Sequence, residues 1–147
     1  KYLIPPTLNG AAAQRLLRKL CPDCKVKAKA NVAEEGIINQ AINAMPAQYQ
    51  KELFSKNGYE IYKPNIENPC KKCAGKAFKG RIGVFEMLEM TDDFEKIILG
   101  TLSEAAMREE AKRQGTITMF QDGILKVLKG SVSLEELLEV AQAGDSA

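Results

Sequence analysis

The sequence predicts an α+β fold, mainly helical with a small β component. Three observations predict it. Helix-opening residues and helix-ending glycines recur in register over residues 91–147. Residues 59–62 and 81–90 carry strand-like alternation. The only four cysteines form two C-x-x-C pairs, Cys21/Cys24 and Cys70/Cys73, a pattern that tethers distant segments at one metal.

The C-terminal helices are the plainest. Thr91 opens a helix carrying Phe94, Ile97 and Ile98, which Gly100 ends. Ser103 opens the next, with Met107 and Ala111 inward and Gly115 after it. Thr118 opens a third through Met119, Phe120, Ile124, Val127 and Leu128 to Gly130. Ser133 with Glu136 reads as a capping box for a last helix through Leu137, Leu138 and Val140, and residues 143–147 as a frayed tail.

The chain opens Lys1-Tyr2-Leu3-Ile4-Pro5-Pro6 without an initiator methionine, which reads as a piece cut from something longer. Thr7 is expected to cap a helix running to about Leu20, its apolar face made by Ala13, Leu16, Leu17 and Leu20. Pro22 cannot continue that helix, so the helix would deliver Cys21 to the metal. Residues 31–58 read as two helices. Asn31 with Glu34 forms a capping box; Ile37, Ile38, Ala41, Ile42 and Met45 form an apolar stripe. Pro46 restarts the chain in a first turn and Gly58 closes it. Residues 59–62 form a short strand that could pair antiparallel with residues 81–90, the second cysteine pair forming the connection.

Four thiolates with no histidine anywhere in the chain describe a closed, structural Zn²⁺ site, with Cys21, Cys24, Cys70 and Cys73 as ligands. Buried free thiols, two disulfides and a dithiol redox pair are the competing readings. The 45 residues between Cys24 and Cys70 exceed the about 15 to 20 of compact zinc ribbons, so the ion would clamp a long insertion. No signal peptide or membrane-length apolar run is visible.

The net charge of +2 hides an asymmetry: residues 1–81 hold 15 Lys/Arg against 6 Asp/Glu, and residues 82–147 hold 6 against 13. A basic zinc module invites an alternative function, a stand-alone domain that binds nucleic acid. Sparse aromatic residues near the cysteines, and the negative charge of a four-thiolate zinc centre that lysines would offset, weigh against it. Residues 75–82 mimic the glycine spacing of a phosphate loop, but Arg81 and Ile82 stand where lysine and Ser/Thr are required. No other nucleotide loop, nucleophile elbow or carboxylate cluster is present, so no catalytic residue and no nucleotide-binding residue is assigned and the piece is not expected to be an enzyme by itself.

A family resemblance adds to this. Ala13-Gln14-Arg15-Leu16, two C-x-x-C pairs around a long insertion, and Gly80-Arg81-Ile82-Gly83-Val84-Phe85-Glu86-Met87-Leu88 follow one another in order. Then come Gln114-Gly115, Thr118-Met119, Asp122-Gly123, Lys126-Val127 and Gly130 through Ser133-Leu134-Glu135-Glu136. Together they resemble the C-terminal part of the assembly ATPases of type II secretion and type IV pilus systems, including relatives in DNA uptake. Pilus retraction ATPases resemble the same core without the tetracysteine insertion, so the assembly or secretion branch is favoured.

The resemblance implies a hexameric cytoplasmic ATPase, peripheral to the inner membrane through its machine and acting on an inner-membrane platform protein. ATP and Mg²⁺ would belong to the parent protein, whose phosphate loop and magnesium motif lie upstream. It implies that residues 1–20 are the tail of a RecA-like core, 21–80 a zinc-binding subdomain, 81–90 a strand returning to the core sheet, and 91–147 a helical region. The four cysteines match the family's zinc ligands one for one, whereas Arg15 and Arg81 match in position only and carry no catalytic role. Neighbouring subunits and the platform protein are the expected partners; no small-molecule substrate is expected, and nucleic acid is disfavoured.

Overall fold

The computed structural model describes residues 2–4, 6–100 and 103–142. Its elements run β1 (Gly10–Leu20), β2 (Val26–Lys29), α1 (Val32–Asn43), α2 (Ala47–Leu53), β3 (Glu60–Lys63), β4 (Phe78–Glu89), α3 (Asp92–Leu99), α4 (Glu104–Arg113), α5 (Met119–Leu128) and α6 (Leu134–Gln142). Among the described residues, six helices and two small sheets make the α+β fold expected.

The first element corrects the sequence reading. Residues 10–20 are a strand, not a helix, and Thr7 caps nothing: its hydroxyl donates back to the carbonyls of Leu3 and Ile4. β1 lies antiparallel to β4, from Gly10 opposite Glu89 to Leu20 opposite Phe78, with an irregularity between Arg18 and Leu20. Alternation then explains the burial: Leu17 and Val84 face inward, while Leu16, Phe85 and Met87 on the opposite face stay exposed.

The second correction concerns pairing. β3 pairs with β2, Val26 opposite Lys63 and Lys29 opposite Glu60, and not with residues 81–90. The lysine-rich β2 was unforeseen. Each sheet is two-stranded among the described residues.

The helix signals held more closely. In α1, Asn31 accepts from the Glu34 backbone and Glu34 reaches back to the Asn31 backbone, completing the capping box. Pro46 takes the N-cap position of α2, one residue before the place expected, and the helix ends at Leu53, well short of Gly58. Thr91, Ser103 and Thr118 each cap their helices through the side-chain oxygen, Thr118 within a full box with Gln121. The predicted second box fails by half. Ser133 Oγ accepts from the Glu136 backbone N–H, but the Glu136 carboxylate turns instead to Arg18. The tail expected over residues 143–147 lies outside the described residues.

One apolar cluster holds these pieces. Leu17 of β1, Val84 of β4, Ile61 of β3, Ile38 and Ile42 of α1, Ile124 and Val127 of α5, and Leu134 and Leu137 of α6 all belong to it. The insertion between the cysteine pairs therefore shares its core with the C-terminal helices. Gly123 lets α5 approach α6: a Cβ there would stand 2.2 Å from Leu137 Cδ1. α3 and α4 are stitched by a polar network around the buried Glu110, which accepts from Thr91 Oγ1 (2.9 Å), Gln114 Nε2 (3.1 Å) and Arg113 Nε (2.8 Å).

Candidate metal centre

The first cysteine pair sits in the turn that follows β1. Cys21 is buried; its backbone N–H donates to Ala77 O at 2.9 Å and its carbonyl accepts from Lys25 N at 3.0 Å, closing the turn. The second pair brackets a short 3-10 turn, Lys71–Cys73, in which Cys73 N donates to Cys70 O at 3.3 Å. Ala74 and Ala77 then take φ of 52° and 59°, the left-handed region that alanine enters at a cost of about 1–2 kcal/mol. Within this turn the Lys76 backbone N–H donates to the Cys73 carbonyl at 3.1 Å.

All four Sγ atoms lie within 4.8 Å of one another. Cys21 to Cys70 is 3.6 Å, Cys24 to Cys73 is 3.8 Å and Cys70 to Cys73 is 3.7 Å. Sulfurs at about 2.3 Å from a tetrahedral ion stand about 3.8 Å apart, whereas a disulfide needs about 2.05 Å. All four cysteines are free. The spacing suits one metal ion, the donor set is all sulfur, and the arrangement is compatible with structural zinc.

The thiols are electrically unequal. Burial pushes Cys73 up, but the N–H groups of Ala77 and Lys76 and the thiols of Cys70 and Cys24 outweigh it and bring Cys73 down to about 7. At Cys24 a bond from the Cys70 backbone pulls down, but burial and the three neighbouring thiols push it up to about 12. Four thiolates without a cation would repel one another; a divalent ion is what lets them ionise together, and its uptake expels protons.

The two pairs also cross-link through their loop residues. Lys72 Nζ meets Asp23 Oδ1 at 2.6 Å, an exposed contact that salt screens. No local pattern marks this pair, whose members lie 49 residues apart. Arg15 donates from Nη1 to Val140 O at 2.7 Å, joining β1 to α6. Arg81 is exposed and stands opposite Arg18 in the ladder. Residues 75–82 lead into and form the start of β4, with Gly75 and Gly80 at positive φ.

Comparison with known proteins identifies a family. The model of the type II/IV secretion system protein family matches residues 1–139. The type II secretion system ATPase E of Vibrio cholerae is 33% identical over 141 residues, covering 96% of this chain and 25% of that protein. The type IV pilus assembly ATPase TfpB of Acinetobacter baylyi is 33% identical, with 95% of this chain and 21% of that protein covered. The type IV pilus assembly ATPase PilB of Myxococcus xanthus is 28% identical, with 93% and 22% covered. The chain thus spans a quarter or less of the length of these relatives. It belongs to the type II/IV secretion system protein family, among relatives named as secretion and pilus assembly ATPases.

Proposed function

We propose that the chain is a zinc-clamped structural part of an ATPase that powers type IV pilus assembly or type II secretion. Its work is assembly and partner docking rather than catalysis. The observation that carries this reading is the set of four sulfurs at tetrahedral spacing in a chain of this family. Cys21, Cys24, Cys70 and Cys73 would hold Zn²⁺, which supplies a cross-link between the end of β1 and the start of β4. ATP and Mg²⁺ belong to the parent protein, a hexamer on the cytoplasmic side that engages an inner-membrane platform protein. No helix among the described residues is long and apolar enough to cross a membrane.

In this reading residues 1–20 are the tail of a RecA-like core, 21–80 form the clamped insertion, 81–90 a strand returning to the core sheet and 91–147 the helical region. The β1–β4 ribbon supports such a continuation. It is two-stranded among the described residues, and its outer face exposes Leu16 at 50%, Phe85 at 42% and Met87 at 63%. An exposed apolar face of this kind is available for packing against a further element.

Elemental analysis and nucleotide turnover test the proposal together. The expected result is one zinc per chain, no ATP hydrolysis by residues 1–147, and hydrolysis by the longer parent. Absence of zinc with thiols freely alkylated in the native state would remove the clamp; turnover by this piece alone would remove the non-catalytic assignment.

A further inference from the structure

β1 and the first cysteine turn do more than present a ligand pair: they hold the C-terminal helices at four successive points. Arg15 Nη1 donates to Val140 O at 2.7 Å. Arg18 donates from its backbone N and its Nε to the Glu136 carboxylate, at 2.8 and 2.7 Å. The register irregularity after Arg18 frees the Leu20 N–H, which donates to Ser131 O at 2.9 Å. Lys25, the residue after Cys24, donates from Nζ to Gly130 O at 2.6 Å.

The last of these contacts is closely built. Gly130 stands at the end of α5 with φ of 68°, and a Cβ there would fall 2.4 Å from Tyr62 Cδ2 and 3.1 Å from Lys25 Nζ. The Lys25 ammonium lies 4.2 Å from the centre of the Tyr62 ring, so ring and carbonyl grip it from two sides. A cation at a helix C-terminus also meets the negative end of the helix dipole. Immediately afterwards Val132 and Leu134 enter the core. The α5–α6 corner is therefore clasped by the residues on either side of Cys21 and Cys24.

We infer that metal loading at the cysteines governs how firmly the α5–α6 corner and α6 are docked, with Leu20 and Lys25 as the connection. This rests on the metal reading above and adds a direction to it: the ion's influence runs into the C-terminal helices. Without an ion, the two cysteine turns keep the Cys21–Ala77 backbone bond and the exposed Lys72–Asp23 pair but lose the link through sulfur, and Lys25 is held less firmly against Gly130.

Hydrogen exchange on the intact chain, metal-loaded and after chelation, with zinc content measured in parallel, tests this. Chelation is expected to raise exchange over residues 130–140 about tenfold, and α3–α4 much less. Lys25→Met is expected to reproduce the loosening at 130–140 with zinc content unchanged, and Lys25→Arg to restore most of the protection. Zinc bound but indifferent exchange at 130–140, or a Lys25→Met variant that leaves that segment as protected as before, overturns the coupling while leaving the metal site standing. A uniform rise over all elements also overturns it, since that reports global unfolding. No zinc at all removes both readings.

Discussion

Burying a carboxylate costs several kcal/mol unless hydrogen bonds and a counter-charge meet it. Glu136, 6% exposed, is met by two bonds from Arg18, whose guanidinium also lies 4.5 Å from the centre of the Phe78 ring. Burial pushes the Glu136 carboxyl up, but the Arg18 side chain and N–H outweigh it and hold it below its ordinary 4.5. A carboxylate lowered by folding stabilises the native state above its unfolded value and loses that contribution as pH falls through the folded value. Glu136→Gln is therefore expected to lower stability in urea by about 1–2 kcal/mol near pH 7, since half-exposed Arg18 keeps part of its hydration. The gap between the two proteins should close as pH drops below 4.5. A gap that persists undiminished there would contradict the assignment. The same residue shows why local motifs mislead: Ser133-x-x-Glu136 has the form of a capping box, but a partner 118 residues away took the carboxylate.

The starts of α1, α3, α4 and α5 were legible because caps act within three or four residues. Asn31 with Glu34, Thr91, Ser103 and Thr118 all bond where their sequence neighbours said they would. β1 was not legible for the opposite reason. Its alanine, leucine, glutamine and arginine are strong helix formers, and Ala13, Leu16, Leu17 and Leu20 fit a helical period. What makes it a strand is β4, whose paired residues lie 58 or more positions away. The mispairing of residues 59–62 has the same cause: β2 looks like a lysine-rich loop until β3 lies beside it.

At the scale of elements, the α5–α6 contact is set by a missing side chain. Gly123→Ala places a methyl against Leu137, and Leu137 is 2% exposed with little freedom to yield. The expected loss is about 1–3 kcal/mol in thermal or urea denaturation, the range for overpacking a filled core. A variant as stable as the parent would mean that α6 shifts more freely than its burial suggests.

For the molecule as a whole, the cysteine cluster lies beside the main core rather than within it. None of the cysteines belongs to the cluster of Leu17, Ile38, Ile61, Val84, Ile124 and Leu137. Chelation is accordingly expected to lower Tm by several degrees while most of the far-UV helical signal survives at 25 °C. This differs from small zinc fingers, where removing the ion removes the fold. Complete loss of helicity on chelation at that temperature would show that the core cannot hold without the ion. That the four cysteines belong together was legible from their paired spacing, and the structure brings their sulfurs within 4.8 Å of one another. What the spacing could not convey was that the insertion would join the central core.

The β1–β4 ribbon has a further consequence, for the order in which the chain becomes native. Its two strands form a hairpin whose connection is the entire stretch from Cys21 to Ala77, two helices and a second sheet included. Bringing the ends of so long a loop together is an entropic cost borne before any ladder bond forms. The cysteine pairs stand just inside those ends, directly after Leu20 and shortly before Phe78, the first residues of the ladder to meet. An ion captured early would close the loop at the very place where the ribbon starts to zip. Metal capture would then also be the event that lets the chain's most distant pairing begin.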